Sequence, residues 1–291
     1  MRGLLVIADK KGTKQPAFHH ALEMAKSTGA SIEFVGFVHA PGVDSSDILS
    51  HEEKRKVRHS YIDSKQKEME YFLSNIDLGD VNVKTDVVWE NSLDRWVKAR
   101  CDQRSFDIVF KSGNRSEAFL YTPTDWQLMR NCPDPVLIVG DNPWREGGVI
   151  LAALDLASND EHSLRLNEDI LKQSIQLAKA TNSEVHGCYS MSIPRALADL
   201  DVIDPVAYKA KIKDKLDPVI GHLVETAGLD KNKLHLLSGK PAKEICRISH
   251  KIGADLVVIG NKTSTSLRGR LLGNTAENVL HKVKADVLVI K

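Results

Sequence analysis

Short aliphatic runs recur along the chain and stop abruptly at charged or small residues, as at Leu4 to Ala8, Val136 to Val139, Leu256 to Gly260 and Val287 to Ile290. Unbroken Val, Ile and Leu over so short a stretch reads as a strand buried on both faces, which is the signature of a parallel sheet. Between the runs lie stretches of helical period. "LNEDILKQSIQLAKAT" at 166–181 sets Ile170, Leu171, Leu177 and Ala178 on a shared stripe. The resulting order is strand, helix, strand, a long polar helix (roughly 51–73 and 205–227), strand, a short helix (92–104 and 241–252), strand, loop, helix, strand, and the chain runs through it twice. This is an α/β pattern with a parallel sheet, whose ligands bind beyond the carboxyl ends of the strands where the strand order reverses.

The duplication is visible in the residues. "LLVIADKKG" at 4–12 is echoed by "VILAALDLAS" at 149–158, and "EMAKSTGASIEFVGF" at 23–37 by "QLAKATNSEVHGCYS" at 176–190. "FDIVFKSGN" at 106–114 and "PDPVLIVG" at 133–140 return as "ADLVVIGNK" at 254–262 and "KADVLVIK" at 284–291. The order is kept and the offset is about half the chain, which predicts two domains, 1–142 and 147–291, joined through the Gly- and Pro-containing "GDNPWREGG" at 140–148.

One connection stands apart chemically. "GNKTSTSLRGRLLGNTAENVL" at 260–280 holds three glycines, five Ser or Thr and three cations between two apolar runs, at the edge where ligands bind. Glycine lets backbone amides approach an anion closely, and a helix that begins beyond the loop directs its free N–H groups and positive dipole end at it. The alternative is a solvated turn. Asn274 with Glu277 three residues on forms a capping-box pattern, which leaves the amides of Asn274, Thr275 and Ala276 facing the space above the sheet.

Charge and composition change this picture little. Forty Lys and Arg against 39 Asp and Glu give a net +1, so neither a nucleic-acid field nor an acidic disordered tail is indicated. The helix-period stretch at 51–72 alternates its charges and reads as a solvated helix with a seam of Val57, Tyr61, Met69 and Phe72. Eleven His show no HxxxH spacing, and four Cys form no CxxC pair, so they read as core or surface thiols in a reducing compartment rather than as a zinc or redox motif. The opening apolar run is too short for a signal peptide or a membrane span, hence the expectation of a cytoplasmic protein without membrane or nucleic-acid partners.

A strand ending in aspartate, "VVIG", a thirteen-residue step to Gly273 and then "AENVLHKVKADVLVI" resemble the universal stress protein family, and the duplicated chain resembles its tandem, E-type members. The resemblance covers nearly the whole chain. It implies two tandem Rossmann-like, five-stranded parallel-sheet domains of the adenine nucleotide alpha hydrolase-like kind, related by a pseudo-twofold axis. Their closing strands, Val136 to Val139 and Val287 to Ile290, would meet antiparallel as a pseudo-dimer within one chain; a further homodimer is compatible with it. The resemblance also implies a loop of G-x2-G-x9-G-(S/T) type around the phosphates of ATP, with the aspartate beside the adenosine. Carried over by position, the nucleotide-binding set is Asp155, Gly260, Lys262, Thr263, Arg270, Gly273, Asn274 and Thr275. Mg²⁺ would accompany the nucleotide. Thr263 stands where the family has its second glycine and Asn274 where it has the final hydroxyl, so weakened binding is expected.

The first half reads differently. Its equivalent loop, "SGNRSEAFLYTPTDWQL" at 112–128, has Ser112 and Thr122 in place of the glycines and only ten residues between them, which predicts a degenerate site with Asp9 kept as a strand-end residue. With no GxSxG, GxxxxGK[ST] or pyrophosphatase-type loop in view, the preferred expectation is a regulatory module that binds ATP in its second domain and presents a surface to a protein partner. Slow ATP hydrolysis, or a nucleotide-free scaffold whose first domain holds another ligand, are the alternatives.

Overall fold

The computed structural model describes residues 1–10, 14–113, 123–140, 142–158, 160–191, 205–261 and 274–291. They form two compact units, Met1–Pro143 and Trp144–Lys291. Lys262, Thr263, Arg270 and Gly273 of the expected site, and Thr122 of its counterpart, lie outside the described residues.

The first unit runs β1 (Gly3–Ile7), α1 (Pro16–Thr28), β2 (Ser31–Val38), a one-turn α2 (Pro41–Asp44), α3 (His51–Ser74), β3 (Val83–Trp89), α4 (Leu93–Gln103), β4 (Ile108–Ser112), α5 (Pro123–Asn131) and β5 (Val136–Val139). Its strands lie in the order β3-β2-β1-β4-β5. All are parallel, with Leu4 opposite Ile32 and Ile108 in the register that β1 makes with its two neighbours. The second unit repeats this with β6 (Val149–Ala153), α6 (Glu161–Thr181), β7 (Glu184–Met191), α7 (Pro205–Ala227), β8 (Leu234–Ser238), α8 (Pro241–Ile252), β9 (Leu256–Gly260), α9 (Asn274–Lys282) and β10 (Asp286–Ile290). Its order is β8-β7-β6-β9-β10, with Ile150 opposite Val185 and Leu256. The long polar helices expected near 51–73 and 205–227 are present as α3 and α7.

The reason for the sheet is legible in its burial. Leu4, Leu5, Val6, Ile108, Val109 and Phe110 are fully enclosed, as are Leu151, Val257 and Val258 in the second unit. Each such side chain contributes on the order of 1.5–3 kcal/mol when removed from water. Outer strands are less covered: β3, reading "VKTDVVW", alternates half-buried and exposed positions. Parallel strands need crossovers, and right-handed crossovers place α1 and α3 on one face of the first sheet and α4 and α5 on the other.

Chain ends and caps repeat between units by different means. Gly29 closes α1 in the left-handed region (φ 69°) and Asn182 closes α6 there (φ 50°), the two residue types that adopt it most readily. Ser50 and Glu53 form a reciprocal capping box at α3, and Asp160 accepts the Ser163 amide at α6. The start of the second unit is fastened by side chains. Arg145 grips the Asp255 carboxylate with two nitrogens (2.8 and 3.0 Å), and Trp144 Nε1 donates to Asp286 (2.8 Å). Among the described residues no helix is long and apolar enough to cross a membrane.

Candidate nucleotide site

In a sheet ordered 3-2-1-4-5, the loops after the first and fourth strands leave toward opposite faces, and a crevice opens between them. In the second unit those strands are β6 and β9. Ala153 lies opposite Ile259 near their ends, so Asp155, two residues past β6, and Gly260, the last residue of β9, flank the crevice. Helix α9 begins at Asn274 on this same edge, because β10 after it runs parallel to β9 and the helix must descend between them. Thr275 is exposed in its first turn.

Asp155 is held by a side chain outside the expected nucleotide-binding set. Asn167 of α6, only 2% exposed, accepts the Asp155 amide through Oδ1 (2.9 Å) and donates from Nδ2 to the Asp155 carbonyl (2.8 Å). This two-point clasp fixes the main chain of Asp155 while its carboxylate stays half-buried at the crevice. The clue was there: Asn167 sits on the apolar stripe between Leu166 and Ile170, and a polar residue on that stripe needs a partner inside.

Gly260 has a packing reason of its own. A Cβ on it would lie 2.6 Å from Leu166 Cδ2 and 3.1 Å from Ile170 Cδ1, so the missing side chain lets α6 close onto the end of β9. The next residue, Asn261, is buried and its amide donates to the Ile290 carbonyl (2.7 Å), which ties the start of the loop to β10.

The first unit has the equivalent switch point between β1 and β4, and its described residues place an ion pair beside it. Lys111 Nζ lies 2.6 Å from Asp125 Oδ1 of α5 and donates to the Ser112 carbonyl (3.0 Å); Asp125 is fully buried and Lys111 is 11% exposed. Ser112 Oγ accepts the Ala17 amide of α1 (3.2 Å). Asp9 is clasped differently from Asp155. Gln15, held left-handed at φ 41°, accepts the Asp9 amide (2.8 Å), and the buried Lys65 of α3 donates to the Asp9 carbonyl (2.7 Å) and to Glu68 (2.8 Å). Lys65 and Met69 reach this position because β2 carries Gly36, where a Cβ would meet Met69 Sδ at 2.7 Å.

Position by position, the second unit carries Ile259 and Ala276 where the first carries Lys111 and Asp125, and Gly260 in place of Ser112. Both Ile259 and Ala276 are buried. The ion pair's positions have thus passed to two apolar residues, and the first-turn carboxylate of α9, Glu277, falls one position later than Asp125 does in α5.

Two doubly covered five-stranded parallel units with a crevice at each switch point define the class: a tandem Rossmann-like α/β protein. Comparison with known proteins narrows this. The model of the universal stress protein family matches residues 149–291. Universal stress protein E of Escherichia coli strain K12 is 31% identical, over 100% of this chain and 94% of the relative, and the universal stress protein E homolog of Haemophilus influenzae is 27% identical over 100% and 97%. A crystal structure of a functionally unknown protein from Pseudomonas aeruginosa PAO1 shares the fold, with a TM-score of 0.73 at 24% identity over 100% of this chain and 92% of that one. The chain belongs to the universal stress protein family, as a tandem member of E type.

Proposed function

We propose that the second unit binds ATP or a related adenine nucleotide across the β6–β9 crevice, and that occupancy alters a surface read by a protein partner in a stress response. One observation carries the reading: Asp155 and Gly260, drawn from separate stretches of sequence, flank the switch point at the edge where α9 begins, and the positions of the first unit's Lys111–Asp125 ion pair are taken there by Ile259 and Ala276. Asp155 faces the adenosine part; Gly260, Lys262, Thr263, Arg270, Gly273, Asn274 and Thr275 serve the phosphates, with Mg²⁺ brought by the nucleotide. These chemistries fit the described residues, since N–H donors and the positive end of α9 attract an anion and the clasped Asp155 backbone is already ordered before a ligand arrives. The module works in the cytoplasm, where its unbridged thiols persist.

The test begins with protein purified without added nucleotide, assayed for co-eluting adenine nucleotide by mass spectrometry and titrated with Mg·ATP by calorimetry. Gly273→Val is expected to weaken binding at least tenfold and Thr122→Val to leave it unchanged. No bound nucleotide and no heat at millimolar ATP would end this reading in favour of a scaffold; phosphate release over hours would convert it into slow hydrolysis.

A further inference from the structure

Two thiols that the sequence keeps far apart meet inside the first unit. Cys101 lies in the last turn of α4 and Cys132 just beyond α5; neither is in a disulfide, they are 5% and 0% exposed, and their Sγ atoms are 3.7 Å apart. The topology explains the meeting. Helices α4 and α5 pack side by side on one face, and each ends at the lower edge of the sheet, where β4 and β5 begin. That edge is opposite the crevice. The chain between the thiols climbs β4, passes residues 114–122 and descends α5, so the pair sits at the base of one out-and-back excursion.

The geometry points to Cys101 and Cys132 as a reversible dithiol–disulfide modification site that clips the base of this excursion under oxidation. A disulfide needs the sulfurs at about 2.05 Å, so they must close by under 2 Å. The backbone permits this on one side. Cys132 follows the last residue of α5, and its amide donates to the Leu128 carbonyl (2.9 Å). Just past it, Asp134 is anchored by the Phe106 amide (2.7 Å) and Ser105 (3.1 Å), which keeps Cys132 over α4 rather than letting it swing away. The other two thiols have no such neighbour: Cys188 is buried on β7, and Cys246 on α8 faces the Val279 carbonyl at 3.9 Å.

The chemistry balances with a small peroxide as oxidant. Cys101, the slightly more accessible of the two, attacks one peroxide oxygen; the O–O bond breaks, water leaves and a sulfenic acid remains. Cys132 then attacks that sulfur and expels a second water. Two thiols and one H₂O₂ become one disulfide and two waters, and an external dithiol reverses it by exchange. The hydrogen bond with Cys132 and burial push the Cys101 thiol up, so thiolate is scarce and the first step is slow. The second step is intramolecular and fast, so the sulfenic acid is captured before further oxidation. The site therefore answers sustained oxidation, not brief pulses, and it does not rest on the nucleotide reading.

The full-length protein, freed of reductant, is exposed to hydrogen peroxide and separately to diamide, quenched with N-ethylmaleimide and mapped by mass spectrometry without reduction. The expected result is a Cys101–Cys132 linked peptide that has lost two hydrogens, dominates over every other oxidised product and is reversed by dithiothreitol. Cys101→Ser and Cys132→Ser should each abolish it and leave Cys188 and Cys246 as in the parent. Phenylarsine oxide, which needs two adjacent thiols, should bind once per chain and protect both from alkylation. Overturning results would be oxidation confined to Cys246, sulfinic acid at Cys101 with Cys132 alkylated, or no protection by the arsenical.

Discussion

The two units place the same strands around the same crevice and furnish it in opposite ways. In the first, a half-buried lysine and a buried aspartate face each other across β4 and α5, and a second lysine donates to the Asp9 carbonyl. In the second, the equivalent positions are the uncharged Ile259, Gly260 and Ala276, and Asn167 clasps the main chain of Asp155. Duplication preserved the sheet because the buried aliphatic residues of β1, β4, β6 and β9, such as Leu4, Val109, Leu151 and Val257, answer to packing. The crevice answers to whatever it must hold. The first unit's ion pair supplies its own counter-charge beside the start of α5, whereas the equivalent positions in the second unit, Ile259 and Ala276, supply none.

Breaking the ion pair should give the largest effect. Asp125→Ala leaves the half-buried Lys111 without its carboxylate, only the Ser112 carbonyl remaining, and is expected to cost on the order of 2 to 4 kcal/mol of stability in urea unfolding. The double variant Lys111→Ile with Asp125→Ala, which installs the second unit's residues, should recover most of that loss. Failure to recover would mean that the pair does more than compensate itself.

Gly260→Val comes next. Its Cβ would meet Leu166 Cδ2 at 2.6 Å, and the overpacking should cost about 1–3 kcal/mol. Ser112→Gly, the reverse exchange in the first unit, removes only an acceptor for the Ala17 amide and should cost about 1 kcal/mol. Comparable losses at the two positions would undo the claim that Gly260 is required by the closure of α6.

Asn167→Leu should cost about 1–3 kcal/mol, because the amide and carbonyl of Asp155 lose their buried partners. It should also weaken nucleotide binding severalfold by calorimetry. Gln15→Leu should lower stability by a similar amount and leave that binding untouched. A binding loss in Gln15→Leu would place the nucleotide in the wrong unit.

The smallest effect concerns pH. Burial lowers the pKa of His20, 3% exposed on α1, below its usual 6.5, against opposing contributions from Glu23 and the Asn142 carbonyl. The unfolded chain then takes up the proton more readily than the folded one. The contribution of neutral His20 is complete above pH 6.5 and is lost as pH falls from there toward the folded pKa, with a slope of at most about 1.4 kcal/mol per pH unit. His235, which stacks on His186 with a 2.9 Å N–N contact, shifts the same way through desolvation, His186 and Lys251, but it is half-buried and should add less. Unfolding midpoints between pH 7 and 5 should therefore flatten more in His20→Leu than in His235→Gln.

Much of this was legible in the residues. The strands, their parallel pairing and the long helices follow from where aliphatic runs stop and helical periods begin, and those are local properties that no fold can rearrange without exposing apolar surface. The repeat itself places Asp9 and Asp155 at equivalent ends. The sequence also marked Ser112 and the shortened loop as a departure from its twin.

Contacts between elements far apart in the chain were not legible. Nothing local says that Asn167 clasps Asp155, that Lys111 finds Asp125, or that Gly260 is small because Leu166 lies over it. The four cysteines read as unrelated thiols, yet the adjacency of α4 and α5 puts Cys101 beside Cys132. Periodicity determined which face of each element is buried; only the assembled sheet decided which buried polar groups would meet, because the partner of a desolvated group is chosen by distance in space and not by spacing along the chain.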